Sequence, residues 1–340
     1  MVQLKPIDQQ VVVVMGASSG IGRETALRFA ARGAKVVVSA RGEEGLASLV
    51  EEIRRAGGEA TSVVADVADF AQVERVAARA VEQYGRLDTW AHLAAVLLFA
   101  TVEQTTPEEF QRVIEVDLLG QIYGAKAALP HLKREGRGAL IHVSSIEARR
   151  AFPLHSAYAA SKHGIDGFLE SFRVELRHDE VPVSVTQVLP ATINTPLFEK
   201  ARTKLGVQPV GAPPIYQPGI VADAILYAAE HPVRELVVGG SGKQMLQAQR
   251  LSPRLLDAIF ARIGYRVQQT DKPEPADGSH SLFAPVGGYD RVEGDYSDQA
   301  RGRSYSTWLD MHPAARRAAL GGAALGAGAL LIRRARGNAV

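Results

Sequence analysis

Val11-Val12-Val13-Val14-Met15-Gly16-Ala17-Ser18-Ser19-Gly20-Ile21-Gly22 is the stretch on which the fold turns. Its five leading residues are apolar and mostly β-branched, with no polar alternation, the pattern of a strand in a parallel sheet covered on both faces. The glycines that follow permit a tight turn and close approach of the backbone to a ligand. Ile21 opens a good helix, so the turn brings the free amides of a helix N-terminus to the end of a strand, a setting suited to a pyrophosphate. Gly16, Ser18, Ser19, Gly20, Ile21 and Gly22 are therefore candidate nucleotide-binding residues. A purely structural turn is the competing reading, and the position between strand and helix weakens it.

Outward from this stretch, β-branched runs at 35–39, 60–65, 89–94, 139–144, 183–189 and 236–238 alternate with amphipathic segments. The helical segments are 21–31, 43–56, 70–84, 107–134, 157–177 and 220–230, with 107–134 broken near the glycines at 120 and 124. Repeated βα units with right-handed crossovers predict an α/β doubly wound parallel sheet, a Rossmann fold, over residues 1–245. Residues 197–218, rich in Pro, Gly and Lys, are too long for an ordinary connector. They read either as a lid over a substrate or as a plain surface loop.

Composition narrows the chemistry. The chain has 340 residues, 46% of them hydrophobic and 22% charged, enough to bury a full core. A formal net charge of +2 leaves no footprint for nucleic acid. With no cysteine, disulfides, thiolate catalysis and cysteine-ligated metal centres are excluded. The polar residues 1–10 carry no cationic leader, so a cytoplasmic catalytic domain is expected. His155, His163 and His178 lack ligand spacing and predict no metal site; His155 is close enough to Tyr158 in sequence to line a substrate mouth.

The second strand ends in Ser39-Ala40-Arg41. A carboxylate at that strand end would hold the ribose of NAD; Ala40 offers none, whereas Arg41 can pair with a 2′-phosphate, which favours NADP (NADPH) over NAD. A solvated Arg41 is the alternative. Asp66, closing the third strand, is placed to accept from an adenine amino group or to cap the next helix.

Tyr158 and Lys162 stand four residues apart in a helical segment, hence on one face. An ammonium beside a phenol favours the phenolate and moves it toward a range useful for proton transfer. Taken in order, the Gly16 to Gly22 turn, Asp66, Ser145, Tyr158-x-x-x-Lys162 and Pro190-x-x-x-x-Thr195 resemble the short-chain dehydrogenase/reductase family over roughly residues 8–240. The resemblance implies that Tyr158 is the general acid/base toward a carbonyl or alcohol. It further implies that Lys162 lowers the tyrosine's pKa and holds the nicotinamide ribose, and that Ser145 orients the substrate oxygen. Ser144 is the neighbouring candidate, and spacing alone prefers Ser145. Ile193 and Thr195 resemble the segment that binds the nicotinamide carboxamide.

Some positions depart from the family pattern. Met15 replaces a usual threonine, His92-Leu93-Ala94-Ala95 replaces an Asn-Asn-Ala-Gly motif, and Ala191 replaces a glycine. Asp117 falls where the family carries an asparagine that supports a proton relay to the lysine; an ionised carboxylate accepts hydrogen bonds but cannot donate one. Pairing with Lys162 is its expected alternative role. Two functions follow: an NADP(H)-dependent oxidoreductase interconverting an alcohol and a ketone or aldehyde, or a nucleotide-binding regulatory or scaffold protein with lost turnover. The apolar run Val96-Leu97-Leu98-Phe99 points to a lipophilic small-molecule substrate, such as an acyl, steroid-like or retinoid-like carbonyl. The resemblance implies a homodimer or homotetramer built through the long helices 107–134 and 157–177.

Beyond the domain, residues 246–310 read as a helical stretch at 245–263 followed by a Pro/Gly-rich extension, 268–303, extended or partly disordered. Residues 311–340 form an Ala/Gly-rich tail. Its uncharged run 318–332, flanked by arginine pairs, would span about 22 Å as a helix against about 30 Å of hydrocarbon. A membrane-associated tail, a helix docked on the domain and a disordered end are the three readings. Gly322 and Gly326 have the spacing of close helix packing in lipid.

Overall fold

A computed structural model describes residues 2–274 and 278–318. Its centre is a seven-stranded parallel sheet: β1 Val11–Met15, β2 Lys35–Ala40, β3 Glu59–Val64, β4 Thr89–His92, β5 Gly138–Val143, β6 Val183–Pro190 and β7 Glu235–Val238. The strand order is β7-β6-β5-β4-β1-β2-β3. The order reverses between β4 and β1, which opens a crevice at the carboxyl ends of the strands. Strand alternation sorts the core. Val12 and Val14 pack under α1 (Gly20–Ala31), α2 (Glu43–Arg55) and α7 (Gly219–Glu230). Val11, Val13 and Met15 face α3 (Phe70–Tyr84), α4 (Pro107–Ile114), α5 (Gly120–Arg134) and α6 (Ser156–His178).

The expected break in the long helical segment lies a few residues upstream of the glycines. Thr106 and Glu109 close a capping box at the start of α4, and a π-helical turn, Glu115–Leu119, then separates α4 from α5. The wide turn carries Asp117 into the interior. Gly164 of α6 is what allows the approach, since a Cβ there would meet Leu118 at 2.8 Å.

The stretch 245–263, read as one helix, is two: α8 (Gly240–Leu251) and α9 (Pro253–Ile263). Pro253 has no amide proton and forces Ser252 out of helical geometry, so the chain turns there. The loop 197–218 pairs through Arg202–Thr203 with Leu98–Phe99, and through Val207–Pro209 with Gln269–Pro273, two ribbons that local pattern did not reveal.

The described part of the Pro/Gly-rich extension follows the extended reading of its sequence. It is irregular, as its composition dictates, but it runs across the carboxyl end of the sheet and its backbone is paired with the domain. Ser281 N bonds Lys200 O (2.8 Å), Arg301 N bonds Ile215 O (2.9 Å), and Leu282 is fully buried in the core. A short helix, α10 (Tyr305–Met311), docks through Thr307 Oγ1, which accepts from Gly239 N at 3.0 Å, and through a Lys243–Asp310 pair. Most of the apolar run 318–332 lies outside the described residues. Among the described residues no helix is long and apolar enough to cross a membrane.

Candidate active site

Two adjoining clefts lie at the carboxyl end of the sheet, on either side of the β1–β4 switch point. They share Ile21, Leu93, Ala95, Val143, Thr195 and Leu197, and so form one groove.

The first cleft follows the glycine turn. Gly16 and Ala17 donate to Ser39 O (2.7 and 3.0 Å), and Gly16 holds φ +83° against the backbone of Ala94. A Cβ on Gly22 would lie 2.1 Å from Gly16 O, so the turn closes only with glycine at that place. Ser18, Ser19, Gly20 and Ile21 line the same cleft. The Ser19 side chain does not cap α1; its hydroxyl instead accepts from Lys200 Nζ at 2.8 Å. Such a turn at a helix N-terminus fits a dinucleotide pyrophosphate.

Arg41 lines the far end of this cleft, half-buried, and donates to the carbonyls of Ser281 (2.5 Å) and Leu282 (3.4 Å). Burial lowers its pKa, with Asp66 opposing. Asp66 also lines the cleft: one oxygen accepts from Ala68 N (3.0 Å) and the other from Arg112 (2.5 Å). The cap of α3 is Asp69, which leaves Asp66 outside that role. Four groups of this cleft had no signal in the sequence. Ser281, Pro285, Val286 and Asp290 of the extension form its outer wall. Arg291 O takes the Gly20 amide at 2.9 Å. Lys200 was legible only as part of a lid-like loop; burial is the main cause that lowers its pKa to about 8.

The second cleft gathers Ser144, Ser145, Tyr158 and Lys162 with Ile193 and Thr195. β5 ends at Val143, so both serines project from the strand end; Ser145 Oγ accepts from Glu147 N (3.1 Å), whereas Ser144 Oγ is buried without a partner. Tyr158 and Lys162 share the inner face of α6, and Lys162 Nζ stands 5.0 Å from the centre of the Tyr158 ring, over its face. The acidity of the pair is set by its surroundings as well. The phenol is pushed well above its ordinary value, by burial first and then by Glu147 and Asp117, while the Ser145 hydroxyl acts in the opposite sense. Burial also lowers Lys162, against the pull of Asp117 and Glu147.

Asp117 is fully buried beneath this pair. One oxygen accepts from Val96 N at 2.8 Å; the other stands 3.6 Å from Lys162 Nζ, in ionic contact but beyond a direct hydrogen bond. Burial pushes its carboxyl up to about 6 despite the lysine. The pairing expected between Asp117 and Lys162 is therefore present as a fully buried ionic contact. The replaced motif on β4 is absorbed by packing. His92 is fully buried and held well below its ordinary pKa, chiefly by burial, and Gly124 makes room for its ring, since a Cβ there would meet Nδ1 at 2.5 Å. His163 bonds Ala159 O (2.9 Å) on its own helix. Among the described residues no group of three or more His, Cys, Asp or Glu is arranged to hold a metal. His155, by contrast, lines the second cleft and pairs with Glu147, which sequence spacing did not single out.

Comparison with known proteins gives the family. The family model described as short chain dehydrogenase matches residues 10–206. The uncharacterized oxidoreductase YxnA of Bacillus subtilis is 40% identical over 314 residues, 92% of this chain and 88% of that protein. The versicolorin reductase of Emericella nidulans is 36% identical over 193 residues, 56% of this chain and 72% of its own. Among solved structures, a variant of actinorhodin polyketide ketoreductase with NADPH superposes with a TM-score of 0.60 at 29% identity, covering 70% of this chain and 98% of the other. The chain belongs to the short-chain dehydrogenase/reductase family of oxidoreductases.

Proposed function

We propose that the protein is an NADP(H)-dependent reductase of a ketone or aldehyde on a lipophilic small molecule. One observation carries the reading: Ser145, Tyr158 and Lys162 converge in a cleft continuous with the glycine turn and Arg41. The turn amides and Lys200 would hold the pyrophosphate, Arg41 the 2′-phosphate, and Ile193, Thr195 and Lys162 the nicotinamide riboside. A bound NADPH supplies the hydride. The Ser145 hydroxyl donates to the substrate oxygen, on which negative charge grows, and the Tyr158 hydroxyl gives that oxygen its proton. Burial, Glu147 and Asp117 keep the Tyr158 proton in place at neutral pH, which is the form that reduction consumes. Lys162 then stands beside the phenolate that is left.

The test is NADPH oxidation across a panel of ketones and aldehydes, with Tyr158→Phe alongside. General acid catalysis is worth about a hundredfold to ten-thousandfold, so the variant is expected to lose activity on that scale while still binding NADPH. Cofactor binding without Tyr158-dependent turnover would leave a nucleotide-binding regulatory or scaffold protein instead. The domain is proposed to act in the cytosol as a homodimer or homotetramer through the long segments 107–134 (α4 and α5) and 157–177 (α6), where Val174 stands exposed; light scattering showing a monomer would refute that assembly. A membrane-associated tail is tested by fractionating the full chain beside one ending at Arg317, which keeps the docked α10; equal solubility would rule the tail out.

A further inference from the structure

Resting on that reading of the second cleft, we infer that His155 and Gln268 form a second recognition point there, which takes a hydrogen-bond-donating hydroxyl on the substrate remote from the reacting carbonyl. Away from Ser144, Ser145, Glu147, Tyr158, Lys162, Thr192 and Thr195, the cleft is walled largely by apolar side chains, among them Leu97, Phe152, Ile193 and Phe198. Besides the Ser144 hydroxyl, next to the proposed reacting centre, two polar groups in it are buried, have one atom without a partner, and play no part in the chemistry above.

Gln268 is fully buried, and its Nε2 donates to Pro153 O (3.1 Å) and Gly264 O (2.7 Å). Those two carbonyls settle which end of the amide is nitrogen, so the free atom, Oε1, is an acceptor. His155 is 5% exposed, with its ring edge-on to Phe99 at 4.5 Å between centroids. Its Nδ1 lies 2.9 Å from the Glu147 carboxylate, which itself accepts from Phe152 N at 3.3 Å. A carboxylate at Nδ1 holds a proton there, so in the tautomer this pairing selects Nε2 carries the lone pair, and that atom too has no partner. Two buried acceptors in one apolar cleft are costly when unpaired and match a ligand that brings donors. A site of this kind discriminates strongly against an analogue lacking the hydroxyl, because its own polar atoms are then left unsatisfied. The substrate class is thereby narrowed from any lipophilic carbonyl to one whose apolar frame carries a hydroxyl. His155 and Gln268 are positioning residues, with Glu147 setting the tautomer.

The experiment titrates the NADP+-loaded full chain, which has no hydride to transfer, by calorimetry with 2-tetralone, its ring-hydroxylated isomers and the matching methoxy ethers. At least one hydroxylated isomer is expected to bind about tenfold tighter than the parent, the gain of one neutral hydrogen bond, and its methoxy ether no tighter than the parent. In His155→Phe the preference is expected to fall below about threefold, and His155→Gln, which keeps an acceptor, to restore part of it. Equal binding of all isomers, or methoxy ethers binding as tightly as the phenols, would overturn the inference; the wild-type titration decides this even if a variant fails to fold. Tight, hydroxyl-dependent binding with no Tyr158-dependent NADPH oxidation would refute the reductase reading and leave the recognition point standing.

Discussion

Asp117→Asn is the most discriminating change the structure offers. The amide keeps the shape of the carboxylate and can still accept the Val96 amide, now 2.8 Å from Oδ1, so the π turn is retained. What it removes is a charge. The carboxylate is 3.6 Å from Lys162 Nζ, which is 5.0 Å from the Tyr158 ring, so the anion lies within about 9 Å of the phenol. At an effective dielectric constant of about 20, an anion at that distance disfavours a phenolate by about 2 kcal/mol, or somewhat more than one pH unit. In the alcohol-oxidation direction, where Tyr158 must be a phenolate, the rising limb of kcat/KM against pH is expected to move to lower pH by about one unit, with turnover at neutral pH maintained or raised. The stability effect has a defined sign. The Asp117 carboxyl sits at about 6 against 3.8, so the folded protein binds the extra proton between those values and wild-type stability is lost as pH rises through that window. That loss is at most about 3 kcal/mol. Removing the carboxylate also takes the nearest anion from Lys162, which offsets part of the gain. Melting temperatures of variant and wild type from pH 4 to 7 should therefore diverge in the variant's favour. A pH profile that does not move, or a turnover loss above about tenfold, would show that the carboxylate has an essential role of its own.

Arg41→Ala should raise KM for NADPH about tenfold to a hundredfold, the scale of a hydrogen bond to a charged group, while KM for NADH changes far less; parallel losses would refute the 2′-phosphate assignment. Lys200 is an ammonium below about pH 8 and neutral above it, so NADPH affinity measured by fluorescence should weaken as pH rises through 8 and stay flat in Lys200→Met. Gly22→Ala places a methyl 2.1 Å from Gly16 O and should cost about 1–3 kcal/mol in thermal unfolding together with NADPH binding; normal binding would mean that the turn is not the cofactor cradle.

Seven strands and the helices between them were legible because their signals are local. The run Val11–Met15 and its counterparts read as buried parallel strands, and glycine at 16 and 22 marks a turn that admits no Cβ. The i, i+4 spacing put Tyr158 and Lys162 on one face, and the order of motifs supplied Ser145. Tertiary structure decided everything that depends on distant segments meeting. The acidity of Tyr158 is pushed up by burial and by the anions Glu147 and Asp117, brought from other elements, which the i, i+4 spacing alone did not reveal. The Pro/Gly-rich extension carries little period and, past the short strand Gln269–Pro273, forms no helix or strand among its described residues up to 303, yet its carbonyls hold Arg41 and its Gln268 reaches the second cleft. Spacing along a chain fixes which residues share a face, whereas desolvation and pairing across the fold fix what those residues can do.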